Sequence, residues 1–152
     1  MRPNMWRHRG FSLIELMVVL ALVAALLAVA PMALLRYRES VDYRDTVRGM
    51  TAGLTAARHA AISGGKVTAF NVDLAARKYG IDGRPANELP EGLVVRATVA
   101  ELELVDSVAR IRFYPGGGAT GGSIEIVRPS GVGVRLRSDW LDGRVSLEEL
   151  LP

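Results

Sequence analysis

Gly10-Phe11-Ser12-Leu13-Ile14-Glu15-Leu16, together with the apolar run that follows it, decides how this chain is organised. Between Leu16 and Leu35 no side chain is charged. A helix of this length covers about 30 Å, which matches the thickness of a bilayer core. A carboxylate at the border of such a run is costly in lipid and is typically retained for a partner. We therefore predict a transmembrane helix over residues 11–35 and an assembly surface at Glu15.

The residues before the apolar run, 1–10, form a short basic leader. The 152-residue chain has 19 basic and 16 acidic side chains, and three of the basic ones (Arg2, Arg7 and Arg9) lie in the leader, which contains no acid. Residues 11–152 therefore have 16 of each and a formal net charge of zero, which gives no support for nucleic acid as a partner. Positive residues beside a membrane segment stay in the cytoplasm, so the C-terminal part is expected on the other side.

The stretch from Gly10 to Leu16 resembles the processing site of type IV pilins and of the pseudopilins of type II secretion. In that family a prepilin peptidase cuts after the glycine and methylates the new N-terminal amine, and a glutamate stands fifth in the mature chain. The resemblance implies cleavage between Gly10 and Phe11, N-methylation of Phe11, and pairing of Glu15 with the amine of a neighbouring subunit. Pro31 is expected to kink the helix, one residue earlier than the kink proline of many family members.

Two other interpretations of this segment remain open. Ala28-Val29-Ala30 has the small-x-small form of a signal-peptidase site, although Pro31 would follow that cut directly and is expected to block it. The second is a single-pass anchor that is not processed.

After Leu35 the apolar residues recur at steps mostly of three and four, which predicts an amphipathic stalk helix over residues 36–64. The end is predicted at Ser63-Gly64-Gly65, because glycine is the usual left-handed cap of a helix. The apolar face of the stalk is predicted to consist of Leu34, Tyr37, Val41, Val47, Met50, Leu54, Ala57 and Ala61.

Residues 65–152 are predicted to form a β domain. Five segments alternate apolar with polar or small residues: Thr68-Phe70-Val72, Leu93-Val95-Ala97, Ala109-Ile111-Phe113, Ile124-Ile126 and Val132-Val134-Leu136. This alternation indicates an antiparallel sheet with one buried face, which the stalk is expected to cover. The predicted fold class is therefore α+β and pilin-like: a long N-terminal helix, half transmembrane and half amphipathic, packed on a C-terminal antiparallel β-sheet domain.

No combination of residues predicts catalysis or a metal centre. The chain has no cysteine, and after the leader its one histidine is His59. The sequence between Gly116 and Gly122 contains G-x-G-x-x-G, but a strand pattern follows it where a dinucleotide site needs a helix. Calcium binding at an Asp139/Asp142 turn is a weaker alternative to a plain turn, and Glu148 and Glu149 are expected on a solvated C-terminal face. We predict no cofactor, no metal and no enzymatic activity.

The C-terminal half resembles the GspH/FimT-type domain through Ile111-Arg112-Phe113, the Ile124/Ile126 strand and residues 139–145. The GspH branch is the minor pseudopilin H of type II secretion. The resemblance implies a structural subunit at or near the tip of a periplasmic pseudopilus that serves protein export. Such a subunit spans the bacterial inner membrane once, with a periplasmic C-terminal domain. The implied partners are other major and minor pseudopilins, the prepilin peptidase and the inner-membrane assembly platform.

The alternative within the same family is a FimT-type minor pilin of a type IV pilus that binds DNA for uptake. Such a protein needs a basic patch. Arg135 and Arg137 share a strand face by their spacing, and Arg128 and Arg144 are the candidates to extend it.

Overall fold

The computed structural model of the protein describes residues 11–100 and 103–150, apart from the side chains of residues 29–36 and 105. The predicted leader, with the cleavage position at Gly10, lies outside the described residues. The chain divides into two units, residues 1–38 and 39–152. One long helix, α1 (Leu13–Gly64), contributes to both units. No helix in residues 11–100 and 103–150 is long and apolar enough to cross a membrane.

Helix α1 ends where its sequence contains two consecutive glycines. The last helical residue is Gly64, and Gly65 has a φ of 61°, the left-handed conformation that closes many helices. Helix α1 continues through position 31. The kink expected at Pro31 remains a prediction.

In the second unit, α1 turns one narrow face toward the core. The buried residues of this face are Tyr43, Thr46, Met50, Leu54, Ala57 and Ala61. Their steps of three and four place them on one side of the helix. The predicted face is thus confirmed from Met50 onward and at Val47, which packs against the core, whereas Tyr37 is 67% exposed and Tyr43 and Thr46 are buried instead. The side chain of Leu34 lies outside the described residues.

The error in the predicted helix face has a tertiary cause. The ring of Tyr43 lies 4.0 Å below the guanidinium of Arg128, which comes from the far end of the sequence. Thr46 is buried although it is polar, because its hydroxyl donates a hydrogen bond of 2.7 Å to the carbonyl oxygen of Asp42. Burying a hydroxyl costs little free energy when the hydroxyl is hydrogen-bonded. Thr46 can therefore occupy a core position, although a hydropathy pattern does not predict a polar residue there.

Two glycines let α1 approach the aromatic side chains of the β domain closely. A Cβ atom on Gly53 would stand 2.5 Å from the ring of Phe70, and one on Gly49 would overlap the hydroxyl of Tyr79. The two rings lie against each other at 6.2 Å between centroids. Glycine at these positions therefore fixes how near the helix lies to the aromatic pair.

The β domain consists of two antiparallel sheets. Sheet A has the strand order β3-β2-β1-β6-β5. Its strands are β1 (Thr68–Asp73), β2 (Lys78–Ile81), β3 (Asn87–Glu88), β5 (Leu104–Val105) and β6 (Val108–Phe113). Sheet B has the order β4-β7-β8-β9. Its strands are β4 (Val94–Thr98), β7 (Gly122–Val127), β8 (Gly133–Ser138) and β9 (Val145–Leu150).

The pilin-like α+β class is confirmed, and each of the five predicted strands is present as β1, β4, β6, β7 or β8. The sequence pattern did not reveal that these strands separate into two sheets, since pairing is decided by residues far apart in the chain. It also missed β2, β3, β5 and β9. Glu148 and Glu149, which we expected on a solvated C-terminal face, lie within β9.

A single core joins α1 to both sheets. Its largest fully buried side chains are Met50 and Leu54 of α1, Phe70, Val72, Ile111 and Phe113 of sheet A, and Ile124, Ile126 and Leu136 of sheet B. In β7 and β8, the buried apolar residues Ile124, Ile126, Val134 and Leu136 alternate with less buried ones, as expected for strands with one face on the core. Sheet B therefore has one face on the core and one outer face, and the charged side chains of interest lie on the outer face.

Candidate assembly site

Ser12 caps the first turn of α1. The backbone N–H of Glu15 lies 3.3 Å from the Ser12 hydroxyl oxygen and 3.1 Å from its carbonyl oxygen, and the N–H of Leu16 lies 3.2 Å from that carbonyl. Ser12 is thus the N-cap that satisfies the free donors of the helix start. We did not single out this residue, although the S-x-x-E spacing of Ser12 and Glu15 is a known sequence signature of a helix N-terminus.

Glu15 lies in this first turn with an exposed side chain. A carboxylate in the first turn is favoured by the positive end of the helix dipole, by roughly 0.3–1 kcal/mol. Phe11, one turn earlier in the sequence, is 79% exposed. The structure therefore places the predicted methylation residue and the predicted assembly carboxylate at the same end of α1, where both are accessible to another molecule.

The rest of α1 up to Ala28 presents large apolar side chains on every side. All the leucine, isoleucine, valine and methionine side chains between Leu13 and Leu27 are exposed, the least of them, Val23, by 45%. A helix that is apolar all round is typical of a segment surrounded by lipid or by other protein. This part of α1 therefore has an apolar surface suited to contact with lipid or with other helices.

On the outer face of sheet B, four charged residues form one row across the four strands. Arg96 lies opposite Glu125, Glu125 opposite Arg135, and Arg135 opposite Glu148 in the strand register. We call these four residues the charge row. The signs alternate, and opposite charges on adjacent strands stabilise a sheet by about 0.2–1 kcal/mol per pair.

The centre of the charge row is an ion pair with good geometry. Arg135 donates to one carboxylate oxygen of Glu125 from Nη2 at 2.7 Å and from Nε at 3.1 Å. These hydrogen bonds, with the negative charge of Glu125, raise the pKa of Arg135 above its ordinary value. The outer members are looser, because Arg96 stands 4.0 Å from Glu125 and Glu148 stands 3.6 Å from Arg135.

Each of the arginines considered for DNA contact has a carboxylate or an aromatic ring beside it. Arg135 is held between two carboxylates, and the guanidinium of Arg137 is 64% exposed and stands 4.0 Å from Glu148. Arg128 covers Tyr43, and Arg144 lies 3.4 Å from Asp142. Sequence spacing could not show this arrangement, since Glu148 enters it only through strand β9.

The loop between β8 and β9 uses its acids to shape the backbone. Asp139 accepts a hydrogen bond of 2.8 Å from the N–H of Leu141, and Asp142 accepts one of 2.8 Å from the N–H of Arg144. Arg58 of α1 donates from Nε to the carbonyl oxygen of Asp142 at 2.9 Å. The described residues contain no group of three or more histidine and acidic side chains that could hold a metal ion. Both carboxylates thus accept backbone hydrogen bonds within the turn.

The glycine loop and His59 have structural settings of their own. The loop after β6 folds back so that Ala119 forms an antiparallel β-bridge with Phe113, and β7 begins at Gly122. A strand, and not a helix, follows the glycines, as the sequence pattern predicts. The side chain of His59 is exposed on α1, and its carbonyl oxygen accepts a hydrogen bond of 2.8 Å from the Ser63 hydroxyl.

Comparison with known proteins agrees with these features. The model of the prokaryotic N-terminal methylation motif matches residues 7–31. Among solved structures, the chain is similar to the minor pseudopilin EpsH of the type 2 secretion system of Vibrio cholerae. The TM-score is 0.57 at 13% identity, covering 71% of this chain and 97% of that one. It is also similar to the type IV minor pilin FimU of Pseudomonas aeruginosa, with a TM-score of 0.56 at 15% identity, covering 74% of this chain and 92% of that one.

The fold and the N-terminal motif together define a pilin-like protein. A closer relative in sequence is the type II secretion system protein H of Xanthomonas campestris pv. campestris, which is 31% identical over 140 residues, covering 90% of this chain and 81% of the relative. The chain therefore belongs to the family of type II secretion system protein H, the minor pseudopilins, which is a family of structural proteins.

Proposed function

We propose that this minor pseudopilin is an inner-membrane protein that assembles at or near the tip of a periplasmic pseudopilus. The observation that supports this most directly is the combination of Gly10-Phe11 and Glu15 with an apolar helix whose side chains are exposed throughout residues 13–28. The protein acts by holding other subunits in place and not by catalysis. Its partners are other major and minor pseudopilins, the prepilin peptidase and the assembly platform of the inner membrane.

The processing step produces the group with which the next subunit pairs. Cleavage between Gly10 and Phe11 frees an amine on Phe11, and a single methyl group leaves that amine positively charged. Glu15 needs such a cation, because a carboxylate within an apolar bundle is unfavourable unless it is paired. Pairing Glu15 of one subunit with the amine of its neighbour satisfies both charges and sets the register of the two helices.

The topology follows from the positions of charge in the sequence. We propose from the sequence that the three arginines of the leader keep residues 1–10 in the cytoplasm and that the uncharged run from Leu16 to Leu35 is the membrane segment. Residues 39–152 are then periplasmic. DNA uptake is the weaker alternative, because Arg135 already donates to Glu125 at 2.7 Å and stands 3.6 Å from Glu148.

Intact mass of the protein purified from its native membrane tests this function. We expect a chain that begins at Phe11 and has gained one methyl group. A Gly10→Val variant, which changes only the residue before the cut, is expected to retain the leader and thus provides the matched control. A mature chain that begins at Pro31 would instead identify an ordinary secretory signal. An uncut chain in cells with an active prepilin peptidase would also refute the proposal.

A further inference from the structure

A cavity of about 640 Å³ lies on the outer face of sheet B. Glu125 and Arg135 of the charge row line part of it. Three further lining residues stand side by side on β4, β7 and β8, where Thr98 pairs with Ser123 and Ser123 pairs with Arg137. Each of the three is two residues away from a member of the charge row, so it lies on the same face of the sheet. The cavity therefore presents two adjacent rows of polar side chains, and we call Thr98, Ser123 and Arg137 the second row.

Trp140 lines the same cavity and is 69% exposed. Its backbone is held in place, because its carbonyl oxygen accepts a hydrogen bond of 3.0 Å from the N–H of Ala119. The close approach of Gly121 has the same effect, since a Cβ atom on that glycine would stand 3.3 Å from the Cβ of Trp140. Exposed tryptophan rings are typical of binding surfaces, where a flat apolar body meets a partner. Most of the Trp140 ring is therefore available to another molecule.

The polar side chains of the cavity have hydrogen-bonding capacity to spare. Both hydrogen bonds from Arg135 go to one carboxylate oxygen of Glu125, and the other oxygen stands 4.0 Å from Arg96, too far for a hydrogen bond. The guanidinium of Arg137 is 64% exposed, and its ion-pair contact of 4.0 Å is also too long for one. Ser138 in the cavity wall is 3% exposed, and its hydroxyl has no partner in the described part of the chain. Buried hydroxyls are normally paired, so this wall suits a polar ligand group.

The ionisable side chains of the cavity carry no net charge. Two are carboxylates, Glu125 and Asp139, and two are guanidiniums, Arg135 and Arg137. A polyanion such as a nucleic acid would therefore meet as many like charges as opposite ones. A hydroxyl group both donates and accepts hydrogen bonds, so it can bond to a carboxylate and a guanidinium at once. The cavity is thus suited to an uncharged ligand that carries many hydroxyls.

A sugar ring combines such hydroxyls with an apolar surface. A pyranose has hydroxyls around its edge and C–H groups on its faces, and such a face can pack on the ring of Trp140. The sugar ring is also about as long as the spacing of neighbouring strands, which is about 4.8 Å. Successive rings of an extended, β-linked glycan can therefore meet β8, β7 and β4 in turn.

We propose that this cavity binds an extended, uncharged β-linked glycan. One sugar ring packs on Trp140, and hydroxyls of the neighbouring rings bond to Glu125 and to the second row. The site belongs to sheet B and involves neither the leader nor Glu15. It rests on the proposed topology only for the place of encounter, the periplasm, where the glycan of the cell wall and polysaccharides on their way out of the cell share this chemistry.

Fluorescence of Trp140 tests the site directly, because the chain has one other tryptophan, Trp6 in the leader. The full-length Trp6→Phe chain, purified in a detergent without a sugar headgroup, is titrated with chitotetraose and with cellotetraose. We expect a saturable shift of the emission to shorter wavelength as a sugar ring covers Trp140. A stronger response to chitotetraose identifies an N-acetylated glycan of the cell-wall type, and a stronger response to cellotetraose identifies a polysaccharide without acetamido groups. No saturable shift with either sugar at millimolar concentration overturns the proposal, and a shift with oligothymidylate alone overturns it in favour of nucleic acid.

A pair of neighbouring variants provides the second readout, measured by calorimetric titration with the better of the two sugars. Trp140→Ala should weaken binding about five-fold or more, since aromatic packing contributes beyond the area that it buries. Leu141→Ala is the matched control, because Leu141 is 70% exposed and lies next to Trp140 but does not line the cavity. Both variants should keep the denaturant midpoint of the wild type. Equal binding by the two variants overturns the proposal. An uncut Gly10→Val chain should bind as the wild type does, so the result is independent of the proposed processing.

Discussion

The two parts of α1 use apolar residues in opposite ways. Up to Ala28 the helix presents large side chains such as Leu13 and Leu26 on all sides, and all are exposed. After Glu39 the exposed side of the helix includes charged residues such as Asp42 and Arg48, and the face that it buries includes small residues, among them Ala57 and Ala61. One continuous helix thus contains a segment whose large apolar side chains have no partner among the described residues, and a segment that buries one face in the core.

This difference shows that the size of the side chains, as well as their hydropathy, distinguishes the two roles. The second part of α1 lies close to sheet A because Gly49 and Gly53 leave room for the rings of Tyr79 and Phe70. The first part, residues 13–28, has no glycine, and its only small residues are alanines. Large apolar residues suit contact with lipid, whereas glycine and alanine allow a helix to approach its neighbours closely.

The largest expected effect concerns the first part of α1. Glu15→Ala should leave insertion and cleavage intact, since the apolar run and Gly10 are unchanged, but should lower incorporation into filaments by at least about ten-fold, equivalent to the ~1.4 kcal/mol or more expected for one paired buried charge. The measurement is the amount of tagged protein in sheared filaments relative to membranes. Glu39→Ala, the same change in the second part of α1, is the control and should assemble normally. Equal incorporation of both variants would mean that Glu15 has no role in assembly.

The next effect concerns the core on which the second part of α1 packs. Phe113→Ala removes a ring with 0% exposure and should lower the free energy of unfolding by about 3–5 kcal/mol. Denaturant unfolding of the full-length chain in detergent measures this loss. Tyr114→Ala, at the neighbouring and 40% exposed position, should cost much less. A similar cost for the two variants would contradict the observed strand register.

A smaller effect tests the close approach of α1. Gly53→Ala adds a methyl group 2.5 Å from the ring of Phe70, and overpacking of about 1–3 kcal/mol outweighs the gain of about 1 kcal/mol in helix propensity. A net loss of roughly 1 kcal/mol in the free energy of unfolding is therefore expected. Gly64→Ala, where no atom lies within 4 Å of the added carbon, should change stability by less than about 0.5 kcal/mol. A stabilising Gly53→Ala would show that the ring of Phe70 is free to move.

The smallest effect is a dependence on alkaline pH. Burial, and secondarily the negative charge of Asp45, raise the pKa of Tyr79 above its ordinary value. The folded protein therefore retains this proton at pH values where the unfolded chain has lost it, so stability falls as the pH rises above about 10. Tyr79→Phe should remove this part of the decline, as measured by denaturant midpoints between neutral and alkaline pH. Tyr37→Phe, the same change at an exposed tyrosine, should decline as the wild type does.

Features that depend on a few adjacent residues were predictable. The end of α1 at Gly64 follows from glycine's access to positive φ, and β6 follows from the alternation of Ala109, Ile111 and Phe113. The candidate assembly carboxylate is likewise evident from its position before an uncharged run. Features that depend on distant residues were not predictable. Tyr43 replaces Tyr37 on the buried face because Arg128 lies over its ring, and nothing near Tyr43 in the sequence indicates this.

The sequence by itself determined the class of the protein, because an uncharged run, a lone glutamate and period-two strands are local patterns that few other folds share. Only the tertiary structure decided how the strands divide into two sheets and which charges meet. Arg135 and Glu148 are 13 positions apart, yet they become neighbours because β8 and β9 pair in one particular register. A shift of one residue would move Glu148 to the opposite face of the sheet. That register is set by burial of Leu136 and its neighbours in the core, which is a property of the whole fold.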